Sequence, residues 1–260
     1  MRRILIFLIT CSCIISLCSL KVFSADNSFS WYCVRNKDHK QPRADANMTF
    51  VEDYDGYYVD KNHGDDVEDK VIYLTFDAGY ENGNVEKIVD VLRSEGVPAA
   101  FFVLENFITQ NKPLVKRMIE EGHLVCNHTS KHLDVTKCKS IDEFRGELER
   151  LESVYRDATG MEMPKYFRPP EGKFSRQSME FASKLGYKTI FWSFAYADWD
   201  NAAQPSLSVA KEKILSNAHN GEIMLLHPTS ATNAAILSDV ISQLKDNGYR
   251  FGTLDELTNV

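Results

Sequence analysis

Residues 71–83 read VIYLTFDAGYENG, a stretch that joins a strand pattern to the polar residue that stops it. The apolar run 71–76 is typical of a strand buried in a parallel sheet. The run stops at Asp77, and the chain then turns through Gly79. A carboxylate at the exposed end of a buried strand can serve as a general base or as a metal ligand. The next residue, Ala78, offers no second oxygen, so other strands must complete any site here.

Downstream of this strand the sequence repeats one unit, in which a helical pattern is followed by glycine and then by an apolar run. Five such junctions occur, and they read RSEGVPAAFFV, EEGHLVCN, KLGYKTIFW, NAHNGEIMLL and DNGYRFGTL. A glycine just past a helix fits the left-handed C′ position, and the apolar run after it enters a sheet. Apolar residues at helical spacing lie within 85–94, 141–155 and 236–244. The repeat predicts a parallel α/β sheet, and periodicity alone is consistent with a barrel and with an open doubly wound sheet.

The first 25 of the 260 residues differ in composition from the rest of the chain. Two arginines precede an apolar run over 4–20 and the small residues of VFSAD, so residues 1–25 have the pattern of a secretory signal peptide. An uncleaved N-terminal anchor is the alternative, and both place the remainder outside the cytoplasm. Residues 26–70 are polar, and we expect them to form an N-terminal extension packed on a main domain of residues 71–260.

The chain is acidic, with a formal net charge of −7 at pH 7. The predicted leader contains Arg2, Arg3 and Lys21 but no acid, so its removal makes the mature chain more negative. A surface of this charge repels nucleic acid and anionic lipid, and we therefore expect neither of them as a partner.

Three of the six cysteines lie in the leader, which leaves Cys33, Cys126 and Cys138 in the mature chain. Three thiols allow at most one bridge and cannot form a disulfide framework. We therefore expect free or partly buried thiols.

Polar residues stand where the predicted strands end. The runs YLTF, HLVCN, KYF, IFWSFAYA and IMLL end at Asp77, His128, Arg168, Asp198 and His227. In parallel barrels, active sites are built at the carboxyl edge of the sheet, where these ends meet. Each residue alone has a plainer explanation, such as a cap for an aspartate, a surface ion pair for the arginine or a satisfied core position for a histidine. Their convergence at one edge is what indicates a catalytic site.

His128 and His132 stand four residues apart in CNHTSKH. On a helical turn their imidazoles would face the same way and could bind one cation, whereas the alternative is a pair of exposed histidines. A zinc-like ion needs at least one further protein ligand or several waters. Cys126 lies two residues before His128, and packing beside the site is favoured for this thiol over metal ligation.

Together these blocks resemble the polysaccharide deacetylases of carbohydrate esterase family 4, which include chitin and peptidoglycan deacetylases. TFDAG, HTSKH, RPPEG, the ADWD region and LLHP occur in the family's order between Thr75 and His227. The longer stretches YLTFDAGYENG, RPPEGKFS and FWSFAYADWD, with the N-terminal WYCVRNKDHKQPRAD, are most similar to the delta-lactam-biosynthetic de-N-acetylases. That subgroup removes the acetyl group from muramic acid in spore cortex peptidoglycan. The resemblance implies a distorted parallel (β/α) barrel of about seven strands with an N-terminal extension.

The resemblance also implies a role for each converging residue. Asp77 would be the general base that activates water, and Arg168 would keep it ionised. His227 would be the acid that protonates the departing sugar amine, and Asp198 would orient it and raise its pKa. Because saccharide rings stack on aromatic faces, we expect a groove that is lined by Tyr80, Pro170, Trp199 and Leu225.

The same resemblance implies a divalent metal, zinc or similar, held by His128 and His132, that polarises the acetyl carbonyl and the water. Most of the family has a second aspartate directly after the base, and that residue ligates the metal. Here the position is Ala78, so we expect an ion held weakly by two histidines and water. The expected partner is the glycan strand of peptidoglycan; no protein partner is indicated, and we expect a monomer.

Three other interpretations account for the same residues. An N-acetylglucosamine deacetylase of peptidoglycan or chitin would use the same reaction with different groove contacts. With Ala78 in the ligand position, a catalytically dead glycan-binding protein of the cell envelope is the second, although the retained acid–base set argues against it. Asp77 and Asp198 could also form a glycosidase pair, a scheme in which HTSKH has no role. The main prediction is an exported, metal-assisted peptidoglycan N-deacetylase.

Overall fold

The computed structural model describes residues 27–36 and 38–259, and the predicted leader lies outside the described residues. The strands are β1 (Phe29–Ser30), β2 (Cys33–Val34), β3 (Arg43–Ala44), β4 (Gly56–Tyr57), β5 (Lys70–Ala78), β6 (Ala100–Val103), β7 (Leu124–Asn127), β8 (Tyr166–Phe167), β9 (Lys173–Phe174), β10 (Lys188–Ile190), β11 (Glu222–Leu226) and β12 (Tyr249–Phe251). The helices are α1 (Val85–Glu95), α2 (Glu105–Gln110), α3 (Lys112–Glu120), α4 (Ile141–Thr159), α5 (Arg176–Lys184), α6 (Leu207–Asn217), α7 (Ala231–Asp246) and α8 (Leu254–Thr258), with 3₁₀ turns at Thr49–Tyr54, Val135–Lys137 and Pro170–Gly172. Across the described ranges, every helix is too short or too polar to cross a membrane.

The centre of the fold is one parallel sheet with the strand order β11–β5–β6–β7–β8–β10–β4. Every neighbouring pair on this path is parallel, and β12 makes a further parallel pairing with the start of β5. Isolated bridges join Phe194 to Met224 and Val59 to Glu222, which brings the two ends of the path toward each other. The expected distorted parallel barrel is therefore confirmed, with seven strands on this path.

Strand β5 shows how the stretch around Asp77 shapes both layers of the barrel. Leu74 and Phe76 pack in the apolar cluster that contains the buried faces of α1 and α7. Tyr73 packs in a second cluster on the other side of the sheet, inside the barrel. Because side chains alternate along a strand, Asp77 continues the interior series. Ala78 falls in the helix-side series and is fully buried in the first cluster.

All five predicted junctions lead into strands, namely β6, β7, β10, β11 and β12. Their glycines have positive φ angles, a conformation that other residues adopt only with strain. The expected helices exist but extend further than the apolar stripes, because polar residues continue them on the solvent side. Helix α4 runs to Thr159, and α7 begins at Ala231, directly after the N-cap Ser230.

The N-terminal segment packs against the barrel wall through Trp31. The Trp31 indole Nε1 donates to the Trp192 carbonyl oxygen at 2.8 Å, and its ring stacks on Phe191 with centroids 4.4 Å apart. Strand β1 pairs with β9, and β4 joins the main sheet beside β10. The segment therefore supports the wall that carries Trp192, while the domain boundary at residue 70 stays a prediction.

Replacing Trp31 with alanine is expected to lower the free energy of unfolding by about 3–5 kcal/mol, because a buried indole is lost and a cavity is left. Chemical denaturation of the purified protein measures this. The neighbouring Tyr32 is the control, because it is 53% exposed and Tyr32→Ala should cost much less. Equal midpoints for the two variants would show that the segment does not stabilise the barrel.

The thiols of Cys33, Cys126 and Cys138 are free, as expected. Cys126 is fully buried in the interior cluster with Phe102 and Tyr166, and burial raises its pKa well above the ordinary value. A protonated thiol is a poor metal ligand, so packing is the role that the structure gives this residue.

Candidate active site

A cleft of about 730 Å³ contains most of the residues expected at the carboxyl edge of the sheet. Its lining includes seven of them, namely Asp77, Tyr80, His128, His132, Trp199, Leu225 and His227. Arg168 and Asp198 are buried behind this lining and act on it through Asp77 and His227. Pro170 is buried and does not line the cleft, whereas the next two residues, Glu171 and Gly172, do.

Asp77 and Arg168 form a buried ion pair at the floor of the cleft. Arg168 Nη1 donates to Asp77 Oδ1 at 2.9 Å, and its other donors bond Thr75 Oγ1 and the carbonyl oxygens of Ile190 and Phe191. Burial raises the pKa of Asp77, but the positive charge of and hydrogen bond from Arg168, with smaller contributions from His128 and His227, together outweigh burial and hold the pKa below its ordinary value. The geometry thus keeps Asp77 ionised, as a general base must be.

His227 and Asp198 form the second titratable pair. His227 Nδ1 lies 2.7 Å from Asp198 Oδ1, and the His227 backbone N–H donates to Asp198 Oδ2 at 2.8 Å. Burial lowers the pKa of His227, but the hydrogen bond and the charge of Asp198, together with the charge of Asp77, outweigh burial and raise it. With Nδ1 engaged, Nε2 is the ring nitrogen left to give a proton to a bound molecule.

The histidine motif brings its two rings together without a helical turn. β7 ends at Asn127, and the following loop contains Thr129 and His132 with positive φ angles of 67° and 59°. The His128 and His132 ring centroids lie 5.2 Å apart and are nearly perpendicular. The expected proximity is present, but the expectation of a helical turn is wrong, because left-handed residues fold the loop back instead.

These two histidines fit a divalent ion only in part. His128 Nδ1 lies 2.8 Å from the Arg168 carbonyl oxygen and must donate to it, which leaves the Nε2 lone pair free for a ligand. Burial lowers the His128 pKa to about 4, so the ring is neutral as ligation requires. Among the described residues no group of three or more His, Cys, Asp or Glu could hold a metal. The pair thus suits an ion that water or substrate oxygens complete.

Sequence reasoning missed two features of the site, namely the path of the chain to Asp198 and a pair of loop asparagines. Asp198 lies in the irregular segment after β10, which ends at Ile190, so the expectation that one strand runs from Ile190 to Asp198 is wrong. Asn82 and Asn84 donate to the Thr229 carbonyl oxygen at 2.9 and 3.0 Å and join the loops that follow Asp77 and His227. Asparagine in a loop has no distinctive signal, since turns are its ordinary place.

Glu105 anchors the histidine loop by receiving bonds from Arg150 and from Ser130, which lies between the two histidines. Hydrogen bonds from Arg150 and then Ser130 lower the Glu105 pKa from 4.5 to about 2. A lowered pKa stabilises the folded state above the ordinary pKa, and this contribution is lost as pH falls from 4.5 toward 2. Glu105→Gln should therefore flatten the loss of stability over that pH range.

Denaturation midpoints at several pH values between 7 and 2 check this expectation. Glu149→Gln is the matched control, because Glu149 is 62% exposed and lies 3.9 Å from Arg145. Its acid dependence should follow that of the parent chain. If Glu105→Gln also follows the parent chain, Glu105 does not anchor the loop as a carboxylate.

Comparison with known proteins places this geometry in a family. The sequence model for polysaccharide deacetylases matches residues 64–190. The chain belongs to the polysaccharide deacetylase family, whose members are hydrolases that act on N-acetyl amide bonds.

Particular relatives resemble the chain over most of its length. The peptidoglycan-N-acetylmuramic acid deacetylase PdaA of Bacillus subtilis is 39% identical over 230 residues, which cover 88% of this chain and 85% of that protein. The solved structure of Bacillus subtilis PdaA, a family 4 carbohydrate esterase, matches with a TM-score of 0.82 over 89% of this chain and 97% of that one, at 37% identity. The peptidoglycan-N-acetylglucosamine deacetylase PgdA of Listeria monocytogenes is 36% identical over 72% of this chain but only 39% of its own length.

Proposed function

We propose that the protein hydrolyses the acetyl group from N-acetylmuramic acid in peptidoglycan, as a step toward muramic delta-lactam in spore cortex. The observation that carries the proposal is a pair of oppositely tuned groups in one cleft. Arg168 favours the ionised form of Asp77, and Asp198 favours the protonated form of His227. Hydrolysis of an amide needs both states at once, because one group removes a proton from water and another gives one to nitrogen.

The reaction follows from these two groups. Asp77 takes a proton from water as the water oxygen attacks the acetyl carbonyl carbon. His227 gives its Nε2 proton to the amide nitrogen as the C–N bond breaks, so acetate and a free sugar amine result. Asp198 accepts from Nδ1 throughout and keeps the ring oriented. Trp199, which is 61% exposed, and Tyr80 offer aromatic faces on which sugar rings can stack.

A bound divalent ion would be held by His128 and His132 and would supply polarisation of the acetyl carbonyl. Loss of an outer-shell partner lowers metal affinity by roughly 10–100-fold. We predict that the lack of a third protein ligand lowers the affinity by more than this, relative to a three-ligand site. Dialysis against a chelator should therefore strip the metal, and His132→Ala should abolish the remaining binding. Retention of a full equivalent through dialysis would contradict this prediction.

The sugar specificity and the compartment rest on the relatives. The match to the relative named for N-acetylmuramic acid covers 88% of this chain, whereas the match to the relative named for N-acetylglucosamine covers 72%. An N-acetylglucosamine deacetylase is therefore the second candidate. Both substrates lie outside the cytoplasm, which agrees with a secretory signal or anchor over residues 1–25.

The experiment is acetate release by the purified protein from peptidoglycan without stem peptides and from chitooligosaccharide, each with and without added divalent metal. Release from the first substrate that is lost in His227→Ala supports the proposal. Preferential release from chitooligosaccharide would favour the second candidate. Glycan binding without acetate release would mean that Ala78, in place of the usual aspartate ligand, leaves a protein that binds glycan without hydrolysing it.

A further inference from the structure

Asn233 lies directly behind the Asp198–His227 pair and touches both residues. It is the third residue of α7 after the N-cap Ser230, and its backbone N–H donates to Ser230 Oγ at 3.0 Å. The side chain is 1% exposed, so each of its polar atoms needs a protein partner.

The Asn233 amide has one arrangement that satisfies all of its neighbours. Its Nδ2 donates to Asp198 Oδ2 at 2.6 Å and to the His227 carbonyl oxygen at 3.1 Å. Its Oδ1 accepts from the Tyr196 hydroxyl. Both atoms facing Nδ2 are acceptors. A flipped amide would place Oδ1 against these two acceptors, so the orientation with Nδ2 facing them is the favoured one.

This arrangement supplies Asp198 with the hydrogen-bond donors that a buried carboxylate needs. Asp198 accepts three hydrogen bonds, one from Asn233 and two from the backbone and the ring of His227. Hydrogen bonds to a carboxylate are stronger than bonds between neutral groups, so Asn233 helps to hold the Asp198 carboxylate in place. Asp198 is buried, so this donor set replaces the water that would otherwise stabilise its charge.

We propose that Asn233, oriented by Tyr196, is a positioning residue that holds the Asp198 carboxylate against His227 Nδ1 and thereby keeps His227 in its proton-donating state. Its effect on catalysis rests on the proposed function, but its effect on His227 does not. The other charges that act on His227 are Asp77, which favours the protonated ring, and Arg168, which opposes it.

Asn233→Asp tests the proposal with almost no change of shape. It replaces the donor by an oxygen beside Asp198 Oδ2, and two carboxylates in contact share one proton. The shared proton draws part of the negative charge away from Asp198 and toward position 233, so the His227 titration midpoint should fall by about one pH unit. NMR titration of the His227 imidazole, assigned by loss of the signal in His227→Gln, measures the midpoint. The alkaline limb of kcat/KM for acetate release should shift in the same direction.

Thr232→Val is the matched control. Thr232 lies in the same turn of α7, and its hydroxyl donates to the Pro205 carbonyl oxygen at 2.9 Å. The variant should leave the His227 midpoint unchanged. If Asn233→Asp does not fold, Tyr196→Phe takes its place, because loss of the hydroxyl frees the Asn233 amide and should lower the midpoint by a smaller amount.

A His227 midpoint that is unchanged in Asn233→Asp, or in Tyr196→Phe where that variant replaces it, overturns the proposal. Acetate release tests the proposed function, and the NMR titration tests the role of Asn233. A parent chain without acetate release in which Asn233→Asp still lowers the His227 midpoint would refute the proposed function and support the role of Asn233.

Discussion

Asp77→Asn should reduce acetate release by roughly 10²–10⁴-fold, the usual contribution of a general base. The amide keeps an oxygen for the bond from Arg168 but cannot accept a proton from water. The fold should persist with a lower free energy of unfolding, because Asp77 takes no part in the apolar clusters but the buried Arg168 loses its counterion. Steady-state rates on peptidoglycan without stem peptides, together with a denaturation curve, measure the two effects separately.

Glu171→Gln provides the control for this variant. Glu171 also lines the cleft as a carboxylate, but its ion pair is with Lys173 at the rim, 2.5 Å away. It should keep most of the activity. If Asp77→Asn and Glu171→Gln retain similar rates, Asp77 is not the base.

Arg168→Met should destabilise the fold strongly, with a loss of about 3–5 kcal/mol in the free energy of unfolding at neutral pH. The guanidinium is fully buried and donates to four different residues, so its removal leaves Asp77 as an uncompensated buried charge. It also leaves Thr75 Oγ1 and two carbonyl oxygens without this donor. Chemical denaturation at pH 7 measures the loss.

The double variant Asp77→Asn, Arg168→Met separates the charge from the packing. Removal of both partners should make it more stable than Arg168→Met alone, because no unpaired charge remains. In any active Arg168→Met protein the acid limb of the pH profile should move upward, since the charge that lowers the Asp77 pKa is gone. A single variant as stable as the parent chain would show that the ion pair is unimportant for the fold.

The pH dependence follows from the same two pairs. Asp77 has a lowered pKa and His227 a raised one, so the active combination persists from below the ordinary aspartate range to above the ordinary histidine range. The profile of kcat/KM should be bell-shaped and broad, with its acid limb set by Asp77 and its alkaline limb set by His227. A narrow optimum confined near pH 6 would contradict these assignments.

The sequence predicted the site residues best where a polar residue directly follows a periodic apolar run. Glycine junctions and apolar runs located the strands, and Asp77, His128, Arg168 and His227 stand directly after or at the ends of strands in the structure. Asp198 reaches its place through an irregular segment, because the sheet pairing of β10 ends at Ile190. Strand periodicity could not locate that end, since the residues that follow remain apolar.

Asn233 shows what sequence reasoning could not provide. It lies in ATNAAIL, where an amide among apolar residues is compatible with a solvent-facing position on the helix. Only the packing of α7 against Asp198 makes it a buried donor. The path of the His128–His132 loop was equally hidden, because Thr129 adopts a left-handed conformation that a β-branched residue rarely takes.

The most direct test of the central claim is to determine which sugar loses its acetyl group. Peptidoglycan without stem peptides would be treated with the purified protein, digested to disaccharides and examined by mass spectrometry. Our account predicts free amines on the muramic acid residues, and none after treatment with Asp77→Asn. Free amines on glucosamine, or fully acetylated glycan at every metal concentration, would contradict it.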